Sequence, residues 1–166
     1  MEEEKQKTAE ELAAKIMAYA RDELMISMRF LDRALFRMPL VAADSVAAFG
    51  VDGATIYYNP EYVLHAFKRE KNACTRAFLH MILHCIFSHP FQYEKLDREC
   101  WDLATDLAVE QSILDLNLKC VELERDASLR RTLSHLAQKV PVLTAEKIYR
   151  WLYENPEESA EFFREE

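Results

Sequence analysis

Residues 78–90 read FLHMILHCIFSHP, and the organisation of the chain follows from this stretch. His80 and His84 stand four residues apart in an apolar run that Pro90 closes, because the residue before a proline is driven out of α geometry. The spacing predicts a central helix over 71–88, with both imidazoles one above the other on one face. Such a pair can share one metal ion. It can also be a buried pair satisfied by internal hydrogen bonds, since an unpartnered polar ring is costly in an apolar setting. The spacing alone leaves both readings open.

Around this helix the chain is mostly helical. Leu24, Met28, Leu31 and Leu35 recur at helical intervals, so one helix is expected from Thr8 to Arg37, with Thr8 and Glu11 at capping-box spacing and Pro39 as its stop. Short β-compatible runs at 45–49 and 55–58 flank Gly50-Val51-Asp52-Gly53-Ala54, where Asp-Gly favours a hairpin turn. Asn59-Pro60 starts the next helix, to about Arg69. A further helix is expected over 96–117, and shorter ones over 121–166, with Thr144 capping one that buries Ile148, Trp151 and Leu152. The expected fold is α+β, predominantly helical, with a small β-hairpin or sheet beside the His80–His84 helix. One domain is expected over 1–166, with 1–7 disordered and 121–166 as a C-terminal helical extension.

Composition narrows the function. The 166 residues carry 29 acids against 21 bases, a formal charge of −8. That balance argues against binding nucleic acid or a polybasic contact with a membrane surface. The two glycines, Gly50 and Gly53, cannot supply a Walker loop or a dinucleotide fingerprint. No apolar run reaches the length of a membrane span. The opening Met-Glu-Glu-Glu-Lys lacks the basic and apolar regions of a signal peptide. Cys74, Cys85, Cys100 and Cys120 form no CxxC pair. A cytoplasmic protein with reduced thiols is expected.

A third metal ligand has to come from outside the central helix. The helix at 96–117 carries Glu99, Asp102, Asp106 and Glu110 close together in projection. Glu99 reads as solvated. Asp106 shares its arc with Leu103, Val109 and Ile113, so a solvated acidic stripe and an inward ligand are both compatible with it. Two imidazoles and a carboxylate are a recognised zinc set. His65 and His135 have no partner at metal spacing and read as solvated or core residues. Trp101 and Trp151 read as packing anchors.

Taken together, FLHMILHCIFSHP, the WDLATDLAVEQSIL that begins at Trp101, the VDGATIYYNPEYV before the central helix and the later TAEKIYRWL resemble a zincin-like metallopeptidase-domain family. In bacterial proteins that domain is commonly found N-terminal to a von Willebrand factor A-like domain. The resemblance covers roughly residues 24–153. It implies His80 and His84 as metal ligands with Asp106 as the third, and Zn2+ as the cofactor. His89 matches a further histidine of the family. A continued helix would point it away from His80, so a cap or surface role is expected for it.

The family motif is HExxH, and this chain has Met81 in the place of its glutamate. In HExxH hydrolases that glutamate moves a proton between the attacking water and the leaving group. A thioether can do neither. The resemblance therefore implies a degenerate metallopeptidase-like domain that keeps a divalent-metal site, lacks the general base and binds a peptide or protein partner. The candidate docking surface is an edge strand at 55–58. Two alternatives stand beside it. One is an active zinc peptidase whose base has moved to Glu110 or Asp102. The other is a metal-free helical interaction domain.

Overall fold

A computed structural model describes residues 2–92, 96–160 and 162. The protein is a predominantly helical α+β chain with one small mixed sheet. Its helices are α1 (Glu2–Ser27), α2 (Asp32–Arg37), α3 (Pro60–Arg69), α4 (Ala73–Ile86), α5 (Arg98–Leu116), α6 (Asp126–Lys139), α7 (Ala145–Glu154) and α8 (Pro156–Ser159). The strands are β1 (Leu40–Ala42), β2 (Phe49–Val51) and β3 (Ile56–Tyr58). The chain divides into two compact units, Met1–Pro90 with Leu118–Leu123, and Phe91–Asn117 with Glu124–Glu166.

In the first unit, α1 packs on α3 and α4. Met17, Ala20 and Leu24 are buried on α1, as are Phe78, Leu79 and Ile82 on α4. Asn72, at the head of α4, donates to the carbonyls of Lys119 and Glu122 at 3.0 and 3.1 Å, and the buried Arg76 donates to Val121 O at 3.0 Å. These bonds tie the 118–123 segment to α4. The helix expected to run unbroken from 8 to 37 is interrupted. Met28 leaves helical geometry (φ −135°, ψ 62°), and a short 3₁₀ turn, Arg29–Leu31, precedes α2. Met28 and Leu35 are nevertheless both buried, so the apolar face that suggested one helix survives the break. Of residues 1–7, expected to be disordered, Met1 lies outside the described residues and 2–7 belong to α1. The acidic tail at 165–166 also lies outside them.

The turn sits where Asp-Gly placed it. Gly53 has φ 91°, the left-handed region that glycine enters without steric cost. Asp52 Oδ1 accepts from the amides of Ala54 and Thr55 at 2.8 and 2.7 Å, and Tyr57 Oη donates to Oδ2 at 2.9 Å. The first strand is displaced from 45–49 to 49–51, so Gly50 lies within β2, opposite Tyr57. A third strand, β1, pairs parallel with β3 and was not expected. The strand order is β1-β3-β2, which corrects the reading of 55–58 as an edge: β3 is hydrogen-bonded on both sides, and the edges are β1 and β2. Asn59 caps α3 by accepting from the amide of Tyr62, with Pro60 in the first turn.

In the second unit, α5 packs mainly on α7 and also on α6. Asp97 caps it by accepting from Cys100 N at 3.0 Å, and the left-handed Asn117 (φ 50°) ends it. Trp101 lies edge-on to Tyr149, and Trp151 edge-on to Phe162, as packing anchors. Leu133, Leu136, Ile148 and Leu152 complete the core. Thr144 occupies the N-cap position of α7 without a side-chain capping bond. Among the described residues, no helix is long and apolar enough to cross a membrane.

Candidate metal centre

One face of α4 carries His80 and His84, both half-buried among Phe78, Leu79, Ile82 and Leu83. Their rings turn toward each other, with Nε2 to Nε2 at 2.9 Å and ring centroids 4.7 Å apart. Without an ion the pair forms one hydrogen bond, with one ring donating and the other accepting. Two nitrogens bound to a single zinc at ~2.0–2.1 Å can be no more than about 4.2 Å apart. The observed separation fits inside that limit.

The structure corrects the expectation for His89. α4 ends at Ile86, and Ser88 takes the left-handed conformation (φ 61°) with its amide bonded to Cys85 O. The chain therefore doubles back instead of continuing the helix. His89 is buried, at 6% exposure, and its Nδ1 lies 3.2 Å from His84 Nδ1. The two rings meet edge to face. His89 is neither a cap nor a surface histidine. The sequence signal was weak: only Ser-His-Pro after the apolar run hinted at a reversal.

Met81, also half-buried, follows His80 on α4, so the residue after the first histidine brings no carboxylate. Cys85 follows His84 as a half-buried thiol. Burial pushes its pKa up, the Asp52 charge pushes the same way, and a hydrogen bond from the Gly53 backbone partly offsets both. The hairpin turn thus rests against α4 one residue beyond His84.

On α5, Asp106 is half-buried in a helix whose Leu103, Ala104, Leu107, Val109 and Ile113 are buried. It stands one turn from each of two other acids. The Asp102 side chain is 65% exposed, with Arg98 Nε at 3.7 Å. Glu110 is buried and lies 3.7 Å from Arg125 Nη2.

His80 and His84 in the first unit and Asp106 in the second are, among the described residues, the candidate metal ligands, with one ligand atom from each. Two neutral imidazoles and a carboxylate are donors that suit zinc and several other divalent ions. His65 and His135 stay apart from this group: both are exposed, and His135 stacks on Phe162.

Residues 13–164 match the family described as a "putative metallopeptidase domain". The chain belongs to that family. The match runs through both compact units and so takes in both histidines of α4 and Asp106. No curated protein and no solved structure is significantly similar to the chain.

Proposed function

We propose that this metallopeptidase-family domain holds a divalent metal through His80, His84 and Asp106 and uses the site to bind an extended peptide without cleaving it. The observation that carries the reading is the His80–His84 pair, its Nε2 atoms facing each other at 2.9 Å on α4, with Met81 following the first histidine. Zinc, when bound, supplies a Lewis acid that polarises a carbonyl oxygen. The histidines and Asp106 hold it and fix its orientation. The thioether of Met81 neither accepts nor donates the proton that amide hydrolysis requires.

The two acids that could replace the missing base are poorly disposed for the task. Glu110 is buried against the guanidinium of Arg125, and Asp102 is solvated and paired with Arg98.

For the peptide, the edge to consider is β2. Ala48 O accepts from Asn59 N, and Gly50 pairs with Tyr57. The alternation of an antiparallel ladder then turns the backbone groups of Phe49 and Val51 outward. β2 also packs on α4, the helix of the two histidines. An added strand would lie along that edge and gain main-chain hydrogen bonds.

Metal analysis of freshly purified protein, paired with a peptidase assay, tests the proposal. About one equivalent of divalent metal, lost in the Asp106→Ala variant, is expected, together with peptide binding and no turnover. Turnover that is abolished by a chelator and by Glu110→Gln would replace it with the relocated-base enzyme. Absence of metal, with stability indifferent to chelation, would leave a metal-free helical domain.

A further inference from the structure

We infer that His89 is a positioning residue for the metal site, accepting a hydrogen bond from His84 and thereby fixing which nitrogen of His84 is left bare. The inference rests on the reading of His84 as a ligand. The Nε2 of His84 faces His80, and its Nδ1 faces His89 Nδ1 at 3.2 Å. A neutral imidazole carries one proton, on one nitrogen or the other. If Nε2 binds a metal ion, the proton sits on Nδ1 and that group donates. His89 Nδ1 stands where the acceptor is needed, and it accepts when the His89 proton is on Nε2.

The surroundings hold His89 in this role. It is buried at 6% exposure, the left-handed Ser88 folds it back under the helix end, and the Phe87 ring lies 5.5 Å away. The same contact works without metal. His80 Nε2–H then donates to His84 Nε2, and His84 Nδ1–H donates to His89 Nδ1, so each shared proton has one donor and one acceptor. The reverse relay, with His89 donating to His84 Nδ1, puts a proton on His84 Nε2 and closes that nitrogen to an ion. His89 thus chooses between a His84 that can bind metal and one that cannot. Outer partners of ligating histidines orient the ring, and their loss typically costs about 10–100-fold in metal affinity.

Zinc affinity of the full chain, read by competition with a chromophoric chelator, tests this with two substitutions. His89→Phe keeps a ring but removes the acceptor, and a loss of about 10–100-fold is expected. His89→Asn offers its Oδ1 close to the position of Nδ1 and is expected to stay within a few-fold of the native chain. Equal affinity in all three proteins, or equal loss in both variants at unchanged melting temperature, overturns the inference. Nitrogen-15 spectra of the imidazoles in the metal-free chain give a second readout. A His84 proton on Nδ1 in the native chain that moves in His89→Phe supports the contact, and identical His84 signals refute it. Failure of the native chain to bind zinc counts against the metal reading itself, while these spectra still decide whether His89 sets the tautomer.

Discussion

Placing a carboxylate at position 81 is the most direct test of the proposal that the domain lacks a general base. In Met81→Glu the carboxyl carbon takes the place of the sulfur and an oxygen takes the place of the terminal methyl, so the change nearly preserves size. Position 81 is half-buried, which leaves the new charge partly solvated. The cost in folding stability should fall in the ordinary range of about 0.5–3 kcal/mol for a single substitution. On the catalytic side, general acid–base work contributes about 10²–10⁴-fold. At 1.36 kcal/mol per tenfold this is about 2.7–5.4 kcal/mol of barrier. The assay is release of a fluorophore from a pool of quenched peptides by zinc-loaded protein, with Met81→Gln as the control of equal size that cannot take a proton. Met81→Glu should exceed Met81→Gln and the native chain by about two to four orders of magnitude, and a chelator should abolish the gain. Native turnover equal to that of Met81→Glu would refute the reasoning, as would an inert Met81→Glu that holds a full equivalent of zinc.

Four further outcomes are expected. Zinc at one hundred times its dissociation constant should stabilise the native chain by about 2.7 kcal/mol, read as a higher melting temperature, and His84→Ala should remove the effect. Asp52 is held below the ordinary carboxylate range, first by the Ala54 and Thr55 amides and then by the Tyr57 hydroxyl. Its contribution to the hairpin is therefore complete above the ordinary aspartate pKa of 3.8 and lost as pH falls through the folded-state value. Amide exchange at Ala54 and Thr55 should accelerate on that descent, and Asp52→Ala should show fast exchange at every pH. Asn59→Ala removes the cap of α3 and should cost about 1 kcal/mol by denaturant titration. Cys74 is buried with its pKa pushed up to about 11, so alkylation at neutral pH should spare it in the native chain and modify it in urea.

The elements legible in the sequence were those with long periodicity or strong punctuation. Pro60 after Asn59, Pro90 after the histidine run, and Asp52-Gly53 each marked a boundary that local sterics enforce. The strands were harder. Three residues each give no period to read, and β1 is made by a parallel partner that no local signal announces. That missing strand made 55–58 look like an edge. The break at Met28 was hidden for a related reason: a kink that keeps the buried face leaves the apolar spacing intact. At the site, helical spacing singled out His80 and His84 as a pair, whereas Asp106 was named only through the resemblance, because its arc of α5 mixes acidic and apolar residues. His89 could not be placed, because its position depends on one left-handed residue, Ser88, of a type that rarely signals that conformation.

The same imidazoles can serve a metal-free scaffold and a metal-holding one, and Asp106 decides between them. A hydrogen-bonded pair of neutral histidines has no need of a third donor. Asp106 is half-buried on a helix whose neighbouring side chains are largely apolar. A metal-free scaffold predicts that adding zinc leaves the difference in stability between Asp106→Ala and the native chain unchanged. A metal site predicts that zinc stabilises the native chain more than Asp106→Ala, so that the margin between them widens when zinc is present. Chemical denaturation of both proteins, with and without zinc, separates these patterns. A chelated native chain that already exceeds Asp106→Ala by the full zinc-loaded margin would show that Asp106 supports the fold and not an ion.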